Sequence, residues 1–208
     1  MHTMAALRAL LASLLILAAG IAVLSLATDG FSAFTTETAR RVDIRRHPRA
    51  LPEVPLQTAD GRRVTFDALR GRWVLVDFIY TRCPTYCSVQ GSEFARLQER
   101  LAAPIARGQV TLLSISFDPE HDDPPRLAAY QRRSGDHGSG WIAARPIASA
   151  GLAALSRVFG ITAVPDGLGG FVHNSSIAVV DPEGSLVAIL DWDDPQAAVQ
   201  YLLARLDS

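Results

Sequence analysis

The chain is poor in cysteine: its 208 residues contain two, Cys83 and Cys87. Two cysteines cannot build the multi-bridge framework that holds small secreted domains together. A bond between residues so close would restrict the unfolded chain little, so they read as a working pair rather than a staple. An excess of charge of one sign is also missing. The formal net charge is -1, which leaves no basic surplus to hold a phosphate backbone and argues against a nucleic-acid partner. There is no internal repeat and no low-complexity tract. The length suits one domain with a proper core plus a short appendage, and is too small for two large domains.

What the sequence does have is one long apolar run. Residues 9–28 carry no charge and are rich in Leu, Ala and Ile. About 20 such residues span a bilayer as a helix. No polar stripe marks the run as a buried core helix. It reads either as an uncleaved anchor or as a cleaved signal peptide, since Ser25-Leu26-Ala27 offers small residues at the spacing a signal peptidase needs. The run is long for a signal sequence, which favours the anchor. Arg40, Arg41, Arg45, Arg46 and Arg49 follow at the edge of the reach of the positive-inside rule, so the orientation signal is mixed.

The expected organisation is a membrane segment at 1–28, a polar stalk at 29–50 and a globular domain at 51–208. Asp60-Gly61 between two short apolar runs signals a leading β-hairpin. Residues 73–80 (WVLVDFIY) and 110–117 (VTLLSISF) read as strands buried on both faces. Helices are expected from Pro84 to about Leu101 with Phe94, Leu97 and Leu101 inward, after an Asp123 cap with Pro124 in the first turn, over 149–159 with Gly160 as its stop, and from Pro195 with Val199, Leu202, Leu203 and Leu206 inward. A short strand is expected at 141–143. Residues 165–170 (PDGLGG) read as a flexible loop, and 172–180 with 186–190 as a hairpin turning at Asp181-Pro182-Glu183-Gly184. Alternating β and α elements predict an α/β domain with a central sheet.

Cys83 stands where a buried strand hands over to a helix. The partial positive charge and free N–H groups of a helix start favour a thiolate. Cys87 lies one helical turn on, so both sulfurs can address one point. Such a pair suits a soft metal. Structural zinc asks for four ligands and iron–sulfur clusters for four cysteines or a Rieske histidine pattern, and neither is present. Copper is satisfied by two sulfurs and one nitrogen. The pair also reads as a redox dithiol, although thioredoxins space theirs as Cys-X-X-Cys. A buried pair packed as small hydrophobes is the plain alternative, and the helix-start position weighs against it. Of the five histidines, His2 and His47 belong to the membrane segment and stalk, and His121 and His137 to polar loops. His173 opens an apolar run after a glycine-rich loop and is the candidate nitrogen, or else hydrogen-bonded surface.

Cys83-Pro84-X-X-Cys87 after a buried strand, Asp118-Pro119-Glu120-His121-Asp122 after a second, and His173-Asn174-Ser175-Ser176 before a third together resemble the Sco/SenC family. The resemblance runs from Leu51 to the C-terminus. It implies a thioredoxin-like fold with an added N-terminal hairpin, preceded by one transmembrane helix. It implies copper held by Cys83, Cys87 and His173, with Asp118 in support, and delivery to the copper site of cytochrome c oxidase. The implied partners are copper, an oxidase subunit, other copper carriers and, through the N-terminal helix, the membrane. The domain would lie outside the cytoplasm, on the periplasmic side in a bacterium. Oxidation of Cys83 and Cys87 to a disulfide would abolish copper(I) binding. Asn174, Arg82 and Thr85 depart from residues frequent in the family without removing a ligand. The competing readings are a thiol–disulfide oxidoreductase working through Cys83 and Cys87, a thiol peroxidase, and an interaction module with a vestigial site.

Overall fold

The computed structural model describes residues 2–28, 30, 35–82, 86–136 and 138–206, the side chains of 2–6, 9 and 86–90 excepted. Residues 1–46 and 47–208 form two units. In the first, α1 (His2–Ala27) is one continuous helix. Its stretch Leu10–Ala27 is long and apolar enough to cross a membrane, and none of it is buried. A second helix, α2 (Thr36–Arg46), lies inside the segment read as a stalk. Thr35 starts it, its hydroxyl accepting from the Thr38 N–H at 3.1 Å, and Glu37 pairs with Arg40 at 2.6 Å and Arg41 at 3.1 Å. Caps and i,i+3 and i,i+4 pairs support such a helix without the apolar stripe that would have announced it.

The second unit contains β1 (Arg49–Ala50), β2 (Leu56–Thr58), β3 (Arg63–Val64), a 3-10 turn (Asp67–Leu69) and β4 (Trp73–Ile79). Next come α3 (Tyr86–Arg100), α4 (Ala102–Ala106), β5 (Val110–Ser116), α5 (Pro124–Ser134), β6 (Trp141–Pro146) and α6 (Ser149–Phe159). β7 (Ala163–Pro165), β8 (Phe171–His173), β9 (Ile177–Val180), β10 (Ser185–Leu190) and α7 (Pro195–Leu206) complete it. Eight strands make one sheet in the order β1-β10-β9-β4-β5-β6-β2-β3. β4, β5 and β6 run parallel, and β9 and β2 join them antiparallel. Each parallel step needs a crossover, which α3 and α5 supply.

Both faces of the sheet are covered, which is why β4 and β5 read as continuous apolar runs. Phe78 packs edge-on to Phe159 of α6 at 5.1 Å. On the other face Trp73 meets Tyr201 of α7 at 6.4 Å, and Trp141 meets Phe94 of α3 at 5.9 Å and Tyr130 of α5 at 6.1 Å. α3 and α5 approach closely at Gly91, where a Cβ would fall 2.2 Å from the Ser134 hydroxyl. Any larger residue there would push the two helices apart.

The leading hairpin forms as expected, β2 against β3, with Gly61 at φ 83°. Asp123 caps α5, accepting from the Arg126 N–H at 2.9 Å, and Gly160 ends α6 at φ 66°. β6 continues past 143 to Pro146 because it pairs with both β5 and β2. Three expectations are corrected. Residues 165–170 are not a free loop but the turn of a second sheet, β7 against β8. The run 172–180 is consequently not one strand: β8 pairs with β7, and only β9 pairs with β10. In α7, Leu203 is 40% exposed while Ala198 is buried, so the inward face is turned toward Ala198, Val199 and Leu202.

Candidate metal centre

The Cys83-Pro84-Thr85 run lies outside the described residues, as does the side chain of Cys87. The backbone places Cys87 in the first turn of α3, directly after the strand-to-helix handover from β4. The residues that lead into this handover show how it is held.

The ladder between β4 and β5 ends at Ile79 opposite Ser116, with one further bond from the Phe117 N–H to the Ile79 carbonyl at 3.0 Å. Beyond it, Thr81 gives its N–H and its hydroxyl to the two oxygens of Asp122, at 3.0 and 2.6 Å. Ser116 donates its hydroxyl to the same carboxylate at 2.6 Å and accepts the Asp118 N–H at 3.0 Å. Asp118, itself buried, takes the Arg82 guanidinium at 2.8 Å on one oxygen and His121 Nδ1 at 2.8 Å on the other. Its side chain thus holds the residue before Cys83, and His121 is engaged there rather than free. His137 lies outside the described residues.

His173 closes β8, paired with Ala163 across the hairpin. Its ring meets Tyr80 edge-on at 6.0 Å and Phe117 at 4.9 Å. Phe171 packs against the same two rings at 5.2 and 5.3 Å. Tyr80 and Phe117 follow β4 and β5, so this aromatic wall joins the histidine hairpin to the strand end that delivers Cys83. Asn174, a departure from the family pattern, ties the hairpin down further. Its side chain accepts the Thr162 N–H at 2.8 Å and donates to the Gly160 carbonyl at 2.9 Å. Asp166 shapes the turn by accepting the Leu168 and Gly170 N–H groups at 2.7 and 2.9 Å. Burial pushes the His173 imidazole below its ordinary pKa. The ring is therefore neutral at neutral pH, the form that ligates a metal.

Among the described residues no group of three or more His, Cys, Asp or Glu is arranged to hold a metal. The sulfurs of Cys83 and Cys87 lie outside the described residues; with the His173 imidazole they would make a soft donor set. Sequence reasoning gave no role to Thr81, Tyr80, Phe117 or Phe171, and named Asp122 only as the last residue of an acidic motif. The signal for Thr81, Tyr80, Phe117 and Asp122 was position, at the ends of the two most apolar strands and in the acidic turn after the second; Phe171, at the start of β8, had none.

The SCO1/SenC family model matches residues 45–206. A protein of Stutzerimonas stutzeri named for copper binding is 32% identical over 178 residues, covering 84% of this chain and 83% of the relative. The crystal structure of a SCO1/SenC family lipoprotein from Bacillus anthracis superposes with a TM-score of 0.64 at 22% identity, over 76% of this chain and 98% of that one. Bradyrhizobium japonicum ScoI with copper bound superposes with a TM-score of 0.62 at 22% identity, over 73% and 98%. The thioredoxin-like fold is thereby shared with solved structures.

Proposed function

The chain belongs to the SCO1/SenC family, and on that premise we propose that it binds copper(I) through Cys83, Cys87 and His173 and hands it to the copper site of a respiratory oxidase. One observation supports the three-point site most directly. The His173 ring lies 6.0 Å from that of Tyr80, and Tyr80 precedes Cys83 by three residues. A ligand distant in sequence is thus held beside the strand end that carries the cysteine pair. Two thiolates and a neutral imidazole favour copper(I) over harder ions. Copper is cargo here. It leaves as thiolate or imidazole donors of the receiving protein replace these ligands one at a time. That protein is an oxidase subunit or another copper carrier. α1 holds the domain at the membrane, outside the cytoplasm, where a dithiol can be cycled through its disulfide.

The test is a copper(I) titration of the reduced full-length chain in detergent micelles, against a chromophoric chelator. One equivalent binds tightly, and Cys83→Ser weakens it by about a hundredfold or more, since a thiolate is lost from the metal itself. Absence of binding by the wild type overturns the reading. Because burial lowers the pKa of the His173 imidazole below its ordinary value, affinity declines through histidine protonation only in acid.

The position of the pair after a buried strand also favours a second reading, thiol–disulfide exchange with a cysteine-bearing partner. That chemistry needs no imidazole. His173→Ala that abolishes copper binding yet retains oxidase maturation in cells would select it.

A further inference from the structure

We propose that Asp122 is a positioning residue for the cysteine pair, fixing Thr81 and through it the direction in which the chain delivers Cys83. The inference rests on the copper reading above. Asp122 is fully buried, and a buried carboxylate is costly unless its oxygens are satisfied. Three donors satisfy it: the Thr81 N–H at 3.0 Å, the Thr81 hydroxyl at 2.6 Å and the Ser116 hydroxyl at 2.6 Å. Two come from one residue, one main-chain and one side-chain, so Thr81 is held in both place and rotation.

The location gives this grip its meaning. The last register pair of β4 and β5 is Ile79 with Ser116, so at Thr81 no ladder remains. The Asp122 carboxylate takes over as sheet partner for the strand's final extension. Its own N–H is bonded to the Asp118 carbonyl at 3.0 Å, and Asp118 in turn holds Arg82. The chain is therefore held at Ile79, Thr81 and Arg82 up to the residue before Cys83. Helix capping does not explain Asp122, because its neighbour Asp123 already caps α5. A metal site assembled from two distant segments depends on such outer supports.

The experiment is the same copper(I) competition on reduced full-length protein, run well below the unfolding temperature. Asp122→Asn and Thr81→Val each weaken binding about tenfold, the size usual for an outer-shell partner. The double variant is no weaker than either single one, since both remove the same coupling. Thr81→Ser, which keeps the hydroxyl, binds as the wild type does. Phe159→Leu, in the core contact with Phe66 and Phe78, lowers the melting temperature without changing affinity. If Asp122→Asn does not fold, the Thr81→Val and Thr81→Ser pair decides, because both leave the carboxylate and its other bonds in place. Wild-type binding with unchanged affinity in Thr81→Val overturns the inference alone. So does a loss that follows melting temperature across all variants, Phe159→Leu included. A wild type that binds no copper overturns the copper reading and this inference with it.

Discussion

Asp77 is the residue least at ease in its surroundings. It is fully buried on β4, on the side of the sheet facing α3, α5 and α7. Neither carboxylate oxygen has a hydrogen-bond partner among the described residues. Ser114, its register neighbour on β5, accepts the Trp141 indole N–H at 2.9 Å. Burial pushes the Asp77 carboxyl from 3.8 up to about 7, outweighing the nearby Ser114 hydroxyl, which acts to lower it. The sign of the consequence follows by linkage. The unfolded chain releases this proton near pH 4 and the folded chain only near pH 7. Stability therefore falls as pH rises across that window and levels off above it. Over the interval from 3.8 to about 7, 1.36 kcal/mol per pH unit amounts to about 4 kcal/mol. Asp77→Asn should flatten the profile. In urea denaturation, the stability lost between pH 5 and pH 8 should shrink by about 3 kcal/mol relative to wild type. A variant with the wild-type slope would show that another group controls it. Nothing in the run WVLVDFIY marks this carboxyl as unpaired, because that depends on what β5 and the covering helices place around it.

At the scale of elements, the β7–β8 hairpin decides where His173 stands. The sequence reading made PDGLGG a flexible loop and 172–180 one strand, since glycine-rich runs and apolar runs read that way locally. The structure puts two short strands and an ordered turn there instead, with aromatic packing on Tyr80 and Phe117. Strands of three residues carry too little periodicity to be recognised, and their stability comes from long-range packing. The Asp166 bonds to Leu168 and Gly170 supply the local part. Asp166→Ala should raise amide exchange at those two positions by about 5- to 30-fold, the equivalent of 1–2 kcal/mol. Exchange in β4 and β5 should not change. Unaltered exchange at Leu168 and Gly170 would mean that packing alone holds the turn. The same contrast separates α3 and α5, legible from their apolar faces and the Asp123 cap, from α2, which has a cap, ion pairs and only two buried apolar side chains, Val42 and Ile44.

For the whole molecule, the open question of the N-terminal segment has a direct reading in mass and sedimentation. α1 is one helix through Ala27, beyond the length of a signal core. If it anchors the domain, the mature protein from cell membranes keeps residues 1–27 and stays with the membrane after a carbonate wash. A soluble product beginning at Thr28 would establish cleavage.

The α/β alternation, the two buried central strands, the leading hairpin and the ends of α5 and α6 were determined by sequence alone. Each is written in local pattern: period, turn residues and helix caps. Only tertiary structure decided how the His173 ring is seated at the end of β4 and which carboxylates grip Thr81 and Arg82. It also decided that Asp77 is left without a partner. Those outcomes depend on strands far apart in sequence becoming neighbours in one sheet, and no local pattern records which side chains meet there.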